Sequence, residues 1–238
     1  MSRSRDGDLR EQVAVASQVL ALEDHGDLIW GHVSVRDPEG RGVWMKASTW
    51  GFEEITPERV LLVGWEGEVL AGEGRRHAEY HIHSEIMRAR PDVRSVVHTH
   101  APHAVAFASL DQPVRPISHE GTFFVPPDIA RFTKTGDLIL TQELGHALAA
   151  VLGRRNAALM IHHGIVTAAE DVETAVVGAI LLERACWKQL LAMAAGELKS
   201  WSSDEEALAK RAHCYPPELV RQAWAYLVRR AQTRRAAS

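Results

Sequence analysis

The stretch that most constrains this chain is Val93-Arg94-Ser95-Val96-Val97-His98-Thr99-His100. Its β-branched, apolar run suits a buried strand, and it closes on two histidines one residue apart. Side chains at i and i+2 of a strand leave the same face, so His98 and His100 are expected to stand together at a sheet rim. Two imidazoles so placed can share one metal ion. A lone His-x-His more often just closes a strand toward water, but two further features shift the balance. Glu79 lies in the first turn of a helix that feeds this strand. A second strand, Ala157 to Ile161, also ends in histidines, His162 and His163, followed by Gly164.

Two imidazoles from one strand and one from another leave a divalent ion open positions for water or substrate. His162 and His163 are expected to point to opposite faces, so one of them joins the site. His163 is the choice, because Gly164 after it lacks a Cβ and lets the chain turn closely around an ion. Glu79 then becomes a fourth ligand, a general acid/base, or both by turns. Burial is expected to raise its pKa toward neutrality, so that it can deliver a proton. Thirteen histidines are many for 238 residues, and they cluster between His77 and His163. His77 and His81 share an i, i+4 spacing, with His83 off that face. Glu79 midway between them does not make a His-Glu-x-x-His motif. No Gly-x-Ser-x-Gly elbow and no Gly-x-Gly-x-x-Gly after a strand is present.

A length of 238 residues suffices for a substantial core, and 46% apolar against 24% charged residues is ordinary for a soluble globular protein. A formal net charge of -4 gives no reason to expect nucleic acid. No apolar stretch is long enough to span a membrane. Cys186 and Cys214 make neither a disulfide framework nor a Cys-x-x-Cys motif. Met1 to Arg10 is polar, without the apolar core of a signal peptide, so a cytoplasmic protein is expected. Periodicity predicts helices over Leu9–Leu22, Ala78–Arg90, His103–Leu110, Glu143–Leu152 and Asp171 to Ala195. The last carries Val172, Val176, Ala179, Ile180, Trp187, Leu190 and Leu191 on its inner face, with Glu183 there as a buried pair or a subunit contact. Strands are expected at Gly31–Arg36, Gly42–Ala47, Val60–Trp65, Val69–Ala71, Val93–His100, Val114–Ile117, Asp137–Thr141 and Ala157–Thr167, with Ser118–Thr122 a loop. Several pairs read as hairpins, which favours a mixed or antiparallel sheet covered by helices.

Glu79 ahead of a helix, Val96-Val97-His98-Thr99-His100, and His163-Gly164 before a long helix make a specific combination. From about Val13 to Ala195 the chain resembles the class II aldolase/adducin family. The resemblance implies an α/β fold, a single α/β/α domain over 1–238 with a central, mainly antiparallel sheet, and 200–238 as a C-terminal helical extension. It implies one divalent ion per subunit, zinc or manganese, on His98, His100 and His163, with Glu79 as acid/base. It also implies a homo-oligomer, usually a tetramer, with sites between subunits and Tyr215 near a neighbour's site. The family's Gly-Asn-x-Ser-x-Arg motif is met by Gly31-His32-Val33-Ser34-Val35-Arg36, with histidine for asparagine. Its Thr-x-Ser/Thr-Gly loop is met loosely by Ser48-Thr49-Trp50-Gly51.

The departures point toward one branch. Where sugar-phosphate aldolases of the family have two serines before the glutamate, this chain has His77 and Ala78. With His32 replacing the asparagine, a phosphate dianion loses several donors. A ring carboxylate suits the site better, with His32, His77 and Arg36 as partners, Ser34, Ser48 and Thr49 nearby, and His119 as a further hydrogen-bond candidate. Trp50, Phe123 and Phe124 are candidates to wall in a planar ring. The pattern is closest to decarboxylases of hydroxypyridine dicarboxylates or dihydroxyphthalates. The expected activity is decarboxylation of a hydroxylated aromatic dicarboxylate. The alternatives are aldol cleavage of a small hydroxy-carbonyl substrate and a non-catalytic adducin-like scaffold; retention of Glu79 and all three histidines argues against the scaffold.

Overall fold

Short apolar strands that are buried on both faces need cover on both. Here such strands, with one exposed edge strand, join in one eight-stranded sheet in the computed structural model, which describes residues 5–236. They are β1 (His32–Arg36), β2 (Gly42–Lys46), β3 (Val60–Gly64), β4 (Val69–Ala71), β5 (Ser95–Thr99), β6 (Ala130–Phe132), β7 (Ala157–Met160) and β8 (Gly164–Ala169). Their order is β4-β3-β2-β1-β5-β8-β7-β6. Neighbours run antiparallel except β6 and β7, which are parallel.

The helices are α1 (Arg5–Leu22), α2 (Tyr80–Ala89), α3 (Pro102–Ala108), α4 (His119–Thr122), α5 (Gln142–Leu152), α6 (Val172–Ala195), α7 (Asp204–Cys214) and α8 (Pro217–Ala236). The strands' period of two divides the core between the two faces. Trp44, Leu62, Val97 and Ile165 pack with α1, α3, α6 and α8, whereas Met45, Leu61, Val96 and Val166 pack with α2 and α5. Asp171 caps α6 by accepting from the Thr174 amide at 2.7 Å. Glu183 accepts from the His103 and Ala104 amides and so satisfies the first turn of α3. The architecture is the expected α/β/α arrangement, its sheet antiparallel but for the β6–β7 pair. No helix among the described residues is long and apolar enough to cross a membrane.

Several expected elements differ. Val114–Ile117 is no strand: Pro113 and Pro116 lack donors, and the Arg115 amide is taken by Gln189 Oε1. Asp137–Thr141 is no strand either, because its amides go to side chains, Leu138 to Asp137 and Ile139 to Glu79. Ala157–Thr167 is two strands, β7 and β8, joined by a tight turn in which His162 has φ 55°. Ser118–Thr122 contains the one-turn helix α4, and β6 falls where no strand was expected. On α6, Trp187 and Leu191 are exposed rather than inward. Of the polar N-terminal segment, residues 1–4 lie outside the described residues.

A candidate metal centre and its cleft

Strand β5 delivers His98 and His100 on the α2 side, and the β7–β8 turn delivers His163 beside them. Closeness here depends on Gly164. A Cβ on it would lie 2.5 Å from Thr99 O, 2.9 Å from His100 Cδ2 and 3.1 Å from His98 Cε1. The ring centroids of the three histidines are 4.9–5.3 Å apart. His98 is fully buried, and its Nδ1–H donates to the Ile165 carbonyl at 3.0 Å, leaving a lone pair on Nε2. His100 donates Nδ1–H to Asp27 Oδ2 at 2.8 Å. Burial is the main reason the His98 imidazolium is strongly disfavoured.

Three buried Nε2 atoms, of His98, His100 and His163, thus have no protein partner. One ligand atom from each residue falls within 4.8 Å of the others. Unpaired buried nitrogens are costly, and three imidazoles beside a carboxylate match the donor set of a divalent transition-metal ion. The residues present therefore fit such an ion. Glu79, just before α2, stands at the open side: Oε2 is 3.9 Å from His98 Nε2 and Oε1 is 3.5 Å from His163 Nε2. Both contacts are long for hydrogen bonds. Oε1 also accepts from the Ile139 amide at 2.7 Å. Burial raises the Glu79 carboxyl, but the His163 and His98 imidazoles and the Ile139 amide outweigh it and hold it at about 2. The expected neutral Glu79 is thus corrected, since its neighbours favour the carboxylate.

The other candidates divide. Ser48, Thr49, His77 and Glu79 line one cleft of about 780 Å³, with His100 at its floor. Thr49 has φ 72°, a strained setting for a β-branched residue and one often tied to function. Its loop is held by Lys46, a fully buried ammonium that donates to Trp50 O at 2.7 Å and Ile29 O at 3.1 Å. His77 Nε2 is buried and unpartnered, and burial, then the Lys46 charge, push its pKa down to about 3.

His32 and Ser34 lie below the cleft rather than in its wall. His32 Nδ1 meets His83 Nε2 at 2.6 Å, and His83 Nδ1 meets Ser34 Oγ at 2.6 Å. His32 still comes within ligand-atom reach of Glu79 and His98.

Arg36 is a correction. Two residues past Ser34 on β1, its guanidinium is spent on the carbonyls of Met87, Arg90 and Val93, closing the C-terminus of α2. His119 is exposed on α4, 3.6 Å from Cys214 Sγ, outside the cleft of its own chain. Tyr215 packs on Phe123, their centroids 5.2 Å apart. Trp50 lies under the Arg59 guanidinium, and Phe123 packs on Phe124. None of these rings walls the cleft. That role falls to Trp30, with Ile29 and Leu138, while Arg75 adds a cation. The Ile29-Trp30 pair ahead of Gly31 was the one signal for this wall, and Asp27 gave none.

Residues 11–190 match the family described as Class II Aldolase and Adducin N-terminal domain. Decarboxylase NovR of Streptomyces niveus is 34% identical over 175 residues, covering 72% of this chain and 64% of that one. The chain thus spans less than two thirds of that relative's length. A 3,4-dihydroxyphthalate decarboxylase of Arthrobacter keyseri is 30% identical over 206 residues, 79% of each chain. Among solved structures, L-fuculose 1-phosphate aldolase from Glaciozyma antarctica PI12 superposes with a TM-score of 0.85 at 26% identity, covering 100% of this chain and 95% of that one.

Proposed function

Since the chain belongs to the class II aldolase and adducin family, we propose that it is a divalent-metal-dependent carbon–carbon lyase that decarboxylates a hydroxylated aromatic acid. The observation that carries this reading is the set of three unpartnered Nε2 atoms converging beside Glu79. His98, His100 and His163 hold the ion, zinc or manganese. Lewis-acid withdrawal of electrons from a substrate oxygen is the chemistry such an ion supplies, worth several kcal/mol.

The rest falls to side chains. Glu79 rests as a carboxylate, so it becomes an acid only after taking a proton. It accepts the proton of a ring hydroxyl beside the leaving carboxylate and delivers it to the ring carbon. The bond to the carboxylate breaks, carbon dioxide leaves, and the electron pair ends on the phenolate oxygen. Trp30 and Ile29 offer the flat apolar wall that a ring needs, and His77 and Ala78 provide no hydroxyl cradle for a phosphate. The decarboxylases among the relatives support the same side. The exposed apolar rim of Leu28, Ile29, Trp30, Leu138 and Leu140 supports a homo-oligomer; the family resemblance is the ground for making it a tetramer with Tyr215 directed at a neighbour's site, and light scattering that shows a monomer removes that part.

The deciding measurement compares carbon dioxide release from a dihydroxyphthalate and a hydroxypyridine dicarboxylate with cleavage of a ketose phosphate, using one metal-loaded preparation. Release from an aromatic acid is expected. Faster aldehyde production from the sugar phosphate selects the aldolase instead.

A further inference from the structure

The three histidines differ in what stands behind them. His98 is backed by the Ile165 carbonyl, a fixed part of the β5–β8 ladder. His163 Nδ1 is buried with no partner. His100 alone is backed by a carboxylate, Asp27 Oδ2 at 2.8 Å. Asp27 does not belong to the sheet. It opens a tight turn in which the Trp30 amide donates to Asp27 O at 2.9 Å and Leu28 takes φ 51°. Lys46 Nζ clamps the turn from below through Ile29 O. The residues that complete this turn, Ile29 and Trp30, are those that wall the cleft.

We propose that Asp27 is the positioning residue of His100. Its carboxylate selects the tautomer with hydrogen on Nδ1, aims Nε2 at the cleft floor, and ties this ligand to the turn that forms the ring-binding wall. The proposal rests on the metal reading above only for its consequence, since the tautomer is a property of the metal-free chain. A histidine whose Nδ1–H is held by a carboxylate is a better oriented and more basic ligand, and removing such a partner lowers metal affinity by roughly 10–100-fold. The effect should be confined to the ion, because Asp27 is partly exposed and His100 is its one side-chain partner among the described residues.

The test uses the full chain in three forms, wild type, Asp27→Ala and Asp27→Asn. Nitrogen NMR of the metal-free proteins at mildly alkaline pH reads the His100 tautomer, and chelator competition reads zinc affinity. Wild type should carry hydrogen on Nδ1. Asp27→Ala should move it to Nε2 and weaken zinc by roughly 10–100-fold with an unchanged thermal melt of the metal-free chain. Asp27→Asn retains an acceptor oxygen, so it should restore the tautomer and recover part of the affinity. An unchanged tautomer in Asp27→Ala, or zinc bound as tightly as by wild type, overturns the proposal. A wild type with the expected tautomer that binds no zinc overturns the metal reading and leaves the positioning of His100 standing.

Discussion

At the scale of single residues, Glu79 carries the largest consequence. Its carboxylate has three neighbours that favour charge and only burial against it. Glu79→Gln retains shape and an acceptor for the Ile139 amide but can neither take nor give a proton. Metal content and substrate affinity should persist while kcat falls by roughly 10²–10⁴-fold, measured by metal analysis and steady-state kinetics. Retained kcat with weakened metal binding would make Glu79 a ligand only. The sequence made His98, His100, His163 and Glu79 readable because spacing on a strand and position at a helix start are local properties. Arg36 was misread, and His119 was placed outside its own chain's cleft, for the complementary reason. What a guanidinium or a loop histidine touches is decided by segments far away in the chain, here the end of α2 and the α7 terminus.

At the scale of elements, the β7–β8 turn decides whether the centre forms. Gly164→Ala places a methyl group against Thr99 O and two of the three imidazoles. It should cost about 1–3 kcal/mol in urea unfolding of the metal-free protein and abolish metal retention. His162→Ala, at an exposed position of the same turn, should leave metal content unchanged, whereas His163→Ala should strip it. Long periodic helices and most strands were legible because alternation and 3.6-residue spacing are strong signals. In the Ala157–Thr167 run, His162-His163-Gly164 was the one interruption of an apolar pattern, and the turn that divides it into β7 and β8 falls there. The extended Asp137–Thr141 segment had a strand's composition, but its amides serve Glu79 and Asp137 instead of a neighbouring strand.

At the scale of the whole molecule, an unusual share of the interior is neutral imidazole. His25, His32, His77, His83 and His98 are all held below the ordinary value of 6.5, in each case chiefly by burial, to about 4 for His25 and about 3 for His77 and His83. Unfolding exposes them to water, where they protonate near 6.5. Below that pH the unfolded chain binds more protons than the folded one, so stability falls as pH falls from about 6.5 toward the folded values. Each group contributes a slope of up to about 1.4 kcal/mol per pH unit. Unfolding of the metal-free protein at pH 5 should therefore take up close to five protons from these residues, read from urea unfolding across pH 5–7. A flat profile would mean that the imidazoles are solvated in the native state.

The parallel pairing of β6 with β7 has a different kind of consequence. It requires a crossover through α5, and the segment between β6 and α5 supplies Leu138 to the cleft and the Ile139 amide to Glu79. This segment hangs from the edge of the sheet, whereas the three histidines ride on its middle strands. Insertions or deletions there that spare Ile139 would reshape the opening without disturbing the histidines or the Glu79 carboxylate. A scaffold divided in this way can exchange one substrate for another over evolutionary time while its reaction chemistry stays constant.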